Sequence, residues 1–112
     1  MSHAAQARRL LTDASGAVPA DWSVVLCFYA SLHAISHGLW GGNLAPHGTT
    51  HMDRLQALHA SPQFKGLCGD YKSLKKASEK VRYEPWQITV DPALIATCIQ
   101  KAGAILKACN VP

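Results

Sequence analysis

Charge is scarce in this chain. Only 16% of its 112 residues are Asp, Glu, Lys or Arg while 48% are hydrophobic, a balance that excludes a disordered, charge-solvated polymer and describes a packed domain. Strictly alternating apolar and polar residues are missing over any useful length, which argues against a sheet. Cysteine is sparse and unpaired in pattern: Cys27, Cys68, Cys98 and Cys109 form no CxxC motif, so they read as reduced thiols, three of them on helix faces. The N-terminus, MSHAAQARRLL, lacks an apolar core followed by a small-residue cleavage site, so no secretory leader is expected. The longest apolar run is broken by His33, His37 and Gly38, which argues against a membrane span, and the reduced thiols imply a cytoplasmic protein. GLWGGN lacks the lysine and the preceding strand of a phosphate-binding loop, and no Ser-His-Asp triad or pair of catalytic carboxylates presents itself.

With 112 residues and no repeat or long linker, the chain is expected to be a single domain over residues 1–112. Its eleven Lys and Arg against seven acids leave a formal charge of +4 and a pI near 9.0, a mild bias that admits an anionic partner such as RNA.

Periodicity divides the chain into five helical segments. A short helix over about His3 to Leu11 stops before Ser15, Gly16 and Pro19, and Asp21 is the expected N-cap of a second helix that runs to Trp40. Thr50 and Asp53 have the spacing of a capping box that opens a third helix over HMDRLQALHA. Asp70 starts a fourth, with Tyr71, Leu74, Ala77, Ser78 and Val81 turned inward and the lysines facing water. It stops at Pro85, and Trp86 beyond is expected to lie as a lid over the bundle end. Asp91 and Pro92 pair an N-cap with a first-turn proline, and Leu94, Ile95, Cys98, Ala102, Ile105, Leu106 and Cys109 follow as a buried stripe. The fold class is therefore an all-α, compact bundle of four to five helices.

The second helix carries Tyr29, His33, Ser36 and His37 on an otherwise apolar surface, and a buried polar group needs a partner or a job. His33 and His37 are four residues apart, so their rings can converge. With His47 and His51 they make one candidate metal set, against a plain reading as hydrogen-bonded histidines. His51 and Arg54 share a face near a helix N-terminus, where backbone N–H groups and a guanidinium favour a phosphate and an imidazole can move a proton. The structural alternative pairs Arg54 with Asp53 or Asp70. Arg54-Leu-Gln-Ala-Leu-His59 spells arginine, a hydrophobic residue, three variable positions and histidine, but five residues turn a helix by about 140°, so the two side chains of one chain diverge. Ser78 and Arg82 lie one turn apart beside Tyr83, where a cation gains from the helix dipole.

DW at 21–22, FYASLH at 28–33, H-x-x-R at 51–54 and Y-x-x-L-x-x-x-S-x-x-x-R-Y at 71–83 together resemble small bacterial members of the HEPN superfamily over roughly residues 20–105. The resemblance implies a homodimer with a polar groove between subunits, and a metal-independent endoribonuclease of a toxin–antitoxin or anti-phage defence system, needing no cofactor. A nucleotidyltransferase-like antitoxin is the partner it suggests. On that reading Arg54 stabilises charge and His59, then His51, then His33 is the base. Arg82 is the second choice for charge stabilisation, and a dimer removes the 140° divergence by taking arginine and histidine from different chains. Tyr29, His33, Arg82 and Tyr83 are the candidate binding residues. At the family's usual late-helix position this chain has Arg82-Tyr-Glu-Pro-Trp-Gln87, with glutamine in place of histidine. The alternative is therefore a catalytically inactive HEPN module that binds RNA, a nucleotide or a partner protein.

Overall fold

Four of the five helices begin where a capping side chain or a proline carbonyl can satisfy the first free N–H groups. The computed structural model describes residues 2–41 and 50–112, and among these residues there are five α-helices and no strand. Helix α1 spans His3–Ala14, α2 Ala20–Trp40, α3 His51–Ala60, α4 Cys68–Tyr83 and α5 Pro92–Ala108. Ser2 caps α1 by accepting from the Ala5 N–H at 3.1 Å, and with no breaker before Gly16 the helix runs three residues past Leu11. Thr50 and Asp53 form the reciprocal capping box, at 3.2 and 2.9 Å. Asp91 accepts from the Leu94 N–H at 2.8 Å above a first-turn Pro92.

Two starts differ from the sequence expectation. Pro19, not Asp21, is the N-cap of α2, because its carbonyl already accepts from the Trp22 and Ser23 N–H groups. Asp21 falls in the first turn, where its charge still favours the helix dipole. Helix α4 starts at Cys68, two residues before Asp70, because a 3-10 turn over Lys65–Leu67 winds directly into it.

Helix α2 is the central strut. It touches α1, α3, α4 and α5, and Val24, Cys27, Phe28, Ala30, Ala34 and Ile35 on it are fully buried. It is long and apolar enough to cross a membrane, and 61% of its most apolar 18-residue window is buried inside this bundle. Leu58 of α3, Tyr71 and Leu74 of α4 and Ala102, Ile105 and Leu106 of α5 complete the core. The radius of gyration, 13.3 Å, matches the roughly 13 Å of a compact body of this length. All four cysteines are free and buried, and burial pushes the Cys27 thiol up to about 12 and Cys109 to about 11, which leaves both unreactive at neutral pH. Trp86 does not cover the bundle end. A second 3-10 turn, Pro85–Gln87, carries it outward, and it is 77% exposed.

The C-terminus of α5 closes with Asn110 in the left-handed region (φ 59°). The Val111 N–H reaches the Leu106 carbonyl at 3.0 Å, the Asn110 N–H reaches Lys107 at 3.1 Å, and Val111 is buried. This brings Cys109 against Gly38 of α2. A Cβ on Gly38 would lie 3.1 Å from Cys109 Sγ and 3.2 Å from both Cys109 Cβ and Phe64 Cζ, so even a methyl group here makes Cys109 and Phe64 give by a few tenths of an ångström. Gly38→Val is expected to destabilise the chain by about 1–3 kcal/mol in urea unfolding through overpacking; stability at or above that of the unsubstituted chain would show that the α2–α5 contact is looser than described.

Candidate functional site

Two polar clusters are built on α2, and the buried Phe28 ring touches both. Its centroid lies 5.2 Å from that of Tyr29, 5.3 Å from His51 and 5.8 Å from Tyr71.

The first cluster centres on Arg54. The capping box places α3 so that half-buried Arg54 turns toward α2, where its Nε donates to Ser36 Oγ at 3.2 Å. Asp53 is occupied by Thr50, and among the described residues the ion pairs are Arg9–Asp13 and Lys75–Glu79, so the expected pairing of Arg54 with Asp53 or Asp70 is replaced by a bond to a buried hydroxyl. One turn before Arg54, His51 Nδ1 lies 3.1 Å from the Tyr71 hydroxyl. Burial raises the Tyr71 phenol above its ordinary value, and the nearby Arg54 charge acts in the opposite direction.

His51 is held less basic than a free histidine, first by burial and then by Arg54 and Lys75. Glu79 opposes the shift and Arg82 adds to it. A neutral imidazole beside a fixed guanidinium can accept a proton while the cation attracts an anion.

His33 extends this cluster to α1. Its Nδ1 lies 2.9 Å from Nδ1 of His3, a bond that requires one of the two nitrogens to be unprotonated. Burial is the main cause that lowers both groups. His3 and Arg54 lower His33 further, and Arg54 and His37 lower His3. His3 Nε2 is buried with no partner among the described residues.

The second cluster joins the end of α4 to α2. Arg82 Nε donates to the Ser78 carbonyl at 3.3 Å, while Nη1 donates to the Tyr29 hydroxyl at 3.2 Å and to the Tyr83 hydroxyl at 3.4 Å. The guanidinium lies 5.7 Å from the Tyr29 ring centroid and 5.0 Å from that of Tyr83, within range of both π faces.

Of the residues singled out from sequence, Arg54 and His51 come together, and Tyr29, Arg82 and Tyr83 come together. His33 is linked to the first group through the Arg54 charge. His59 is not brought in: it is exposed on α3, and Arg54 turns inward, as the 140° step implies. No three metal-ligating side chains converge among the described residues, and His47, the third member of the metal reading, lies outside them. Three contributors went unassigned in the sequence reading. Ser36 was marked only as a polar group in need of a partner and Tyr71 only as an inward position, with nothing to link either to Arg54, and His3 is thirty positions from the imidazole it meets.

Comparison with family models, curated proteins and solved structures finds no match for this chain.

The three depressed histidines make a pH prediction. Below the ordinary value of 6.5 the unfolded chain protonates His3, His33 and His51 while the folded chain resists, so unfolding takes up protons and stability falls with pH. The thermal midpoint is expected to drop between pH 7 and pH 5, and to drop less in a His3→Asn, His33→Asn variant. A midpoint that is flat or rises on acidification would contradict the neutral assignment.

Proposed function

We propose that this chain is a small cytoplasmic HEPN-like module that cleaves RNA without a metal, with Arg54 and His51 as the reacting pair. The observation that carries the reading is the juxtaposition of a guanidinium pinned by Ser36 with an imidazole kept neutral one turn away. His51 takes the proton of a ribose 2′-hydroxyl, the oxygen attacks the adjacent phosphorus, and the bond to the 5′-oxygen breaks as that oxygen takes a proton from water, His51 then returning its proton to solvent. Arg54 stabilises the charge that develops on the phosphoryl oxygens. The products are a 2′,3′-cyclic phosphate and a 5′-hydroxyl end. His33 stands behind His51 as an alternative base, while exposed His59 reaches an Arg54 only if a second copy presents it across a homodimer groove. A toxin–antitoxin or anti-phage role, with a nucleotidyltransferase-like antitoxin, belongs to the same proposal.

A second reading, RNA binding without cleavage, is favoured by a separate observation. Lys72, Lys76 and Lys80 repeat at four-residue intervals along α4, about 6 Å apart. With Leu55, Lys75, Glu79, Glu84 and Gln87 they line a groove of about 510 Å³. Lys75 is paired with Glu79, which leaves the other three lysines without an ion pair among the described residues to follow a phosphate backbone.

A mixed RNA pool in EDTA separates the two. Cleavage with cyclic-phosphate ends, reduced about 10²–10³-fold in Arg54→Ala and in His51→Ala but not in His59→Ala, is the expected result. Loss in His59→Ala instead would move the base to the dimer groove. Salt-sensitive binding with no cleavage at any protein concentration would leave the binding module, and no binding at all would remove both readings.

A further inference from the structure

A second, smaller cavity opens where the start of α2 meets the end of α4. Asp21, Trp22, Val25, Val81 and Arg82 line about 190 Å³, too little for a drug-sized molecule and enough for one flat heterocycle. The two valines supply apolar lining, and Trp22, 58% exposed, supplies an indole free to stack. Tyr83 and Trp86, 66% and 77% exposed, stand on the residues that follow Arg82. Large aromatics left in water at one end of a well-packed bundle call for a partner.

The charges decide which one. Asp21 and Arg82 line the same cavity yet form no ion pair, and among the described residues the Asp21 carboxylate accepts no hydrogen bond. Arg82 spends Nε and Nη1 on Ser78, Tyr29 and Tyr83, and its Nη2 donates to nothing among the described residues. The ligand therefore needs a stacking face, an edge of hydrogen-bond donors for a carboxylate, and an edge of acceptors for a guanidinium.

We propose that this cavity binds a guanine base. Guanine N1–H and N2–H₂ are adjacent donors that suit Asp21, and O6 and N7 are the acceptors that arginine reads. Adenine presents an acceptor at N1 and a donor at N6, and so meets Asp21 and Arg82 with the wrong groups. Cytosine and uracil offer less surface to stack on Trp22. Arg82 bonds the Tyr29 hydroxyl, and the Phe28 ring lies 5.2 Å from that of Tyr29 and 5.3 Å from that of His51, so two rings connect the seat to the Arg54 cluster. In a protein that acts on RNA it would select the nucleotide beside the reacting phosphate. This last step rests on the RNA reading; the base preference does not.

The test uses 5′-mononucleotides, with tryptophan fluorescence and calorimetry as readouts on the intact chain. Saturable quenching by GMP, with AMP, CMP and UMP at least about tenfold weaker, is expected. Asp21→Asn should bring GMP and AMP to within a few fold of each other, and Trp22→Leu should lose calorimetric binding of both, while Trp86→Phe keeps the preference. All three substituted sites are exposed, and unchanged helical circular dichroism confirms that each variant folds. Equal binding of GMP and AMP, or a GMP preference that survives Asp21→Asn, overturns the proposal. Guanine binding by a chain that cuts no RNA would remove only the catalytic reading, and cleavage by a chain that binds no GMP would remove only this one.

Discussion

Burial of α2 around most of its circumference is the constraint from which the rest of the architecture follows. An apolar helix of 21 residues must be covered around most of its circumference, and α1, α3, α4 and α5 do so. Covering it also desolvates the polar groups it carries, which makes their partners obligatory. Ser31 turns back to the Cys27 carbonyl at 2.9 Å, Ser23 reaches the Ala14 carbonyl at 3.0 Å, and Ser36, His33 and Tyr29 draw in Arg54, His3 and Arg82. The same demand that closes the bundle thus places two of the chain's four arginines against α2, each beside a ring that can accept or donate a proton.

This arrangement accounts for an electrostatic feature that would otherwise look contradictory. A mildly basic chain places neutral histidines next to cations, because burial and neighbouring positive charge both oppose their protonation. Among the described residues no carboxylate pairs with Arg54: Asp53 is engaged by the cap of α3 and Glu79 by Lys75. An acidic partner would neutralise the guanidinium, whereas a serine hydroxyl orients it and leaves its charge available to an anion.

Legibility in the sequence tracked the range of the interaction. The capping box of Thr50 and Asp53 and the Asp91–Pro92 start were readable because a cap is satisfied within three residues. Starts set by a carbonyl or an adjoining 3-10 turn, as at Pro19 and Lys65–Leu67, were each displaced by two residues, since the same local pattern serves more than one start. Trp86 failed as a lid because a large apolar residue after a helix stop implies burial only if the following turn bends inward, and this one bends out. For the site, the pairing of His51 with Arg54 was legible as a three-residue step on one face. The divergence of His59 was legible for the same reason.

By itself, then, the sequence determined the helical class, the order and approximate bounds of five helices and the buried stripe of α5, and it nominated Arg54, His59, His51, Tyr29, His33, Arg82 and Tyr83 as candidates. These follow from periodicity and capping, which act over one or two turns of chain. Only the tertiary structure decided that Arg54 bonds Ser36 rather than an aspartate, that His33 meets His3, that Tyr71 lies under His51, and that Asp21, Trp22 and Arg82 line one cavity. Those contacts join residues between 18 and about 60 positions apart, and their geometry depends on how the four surrounding helices settle on α2, which no local pattern encodes.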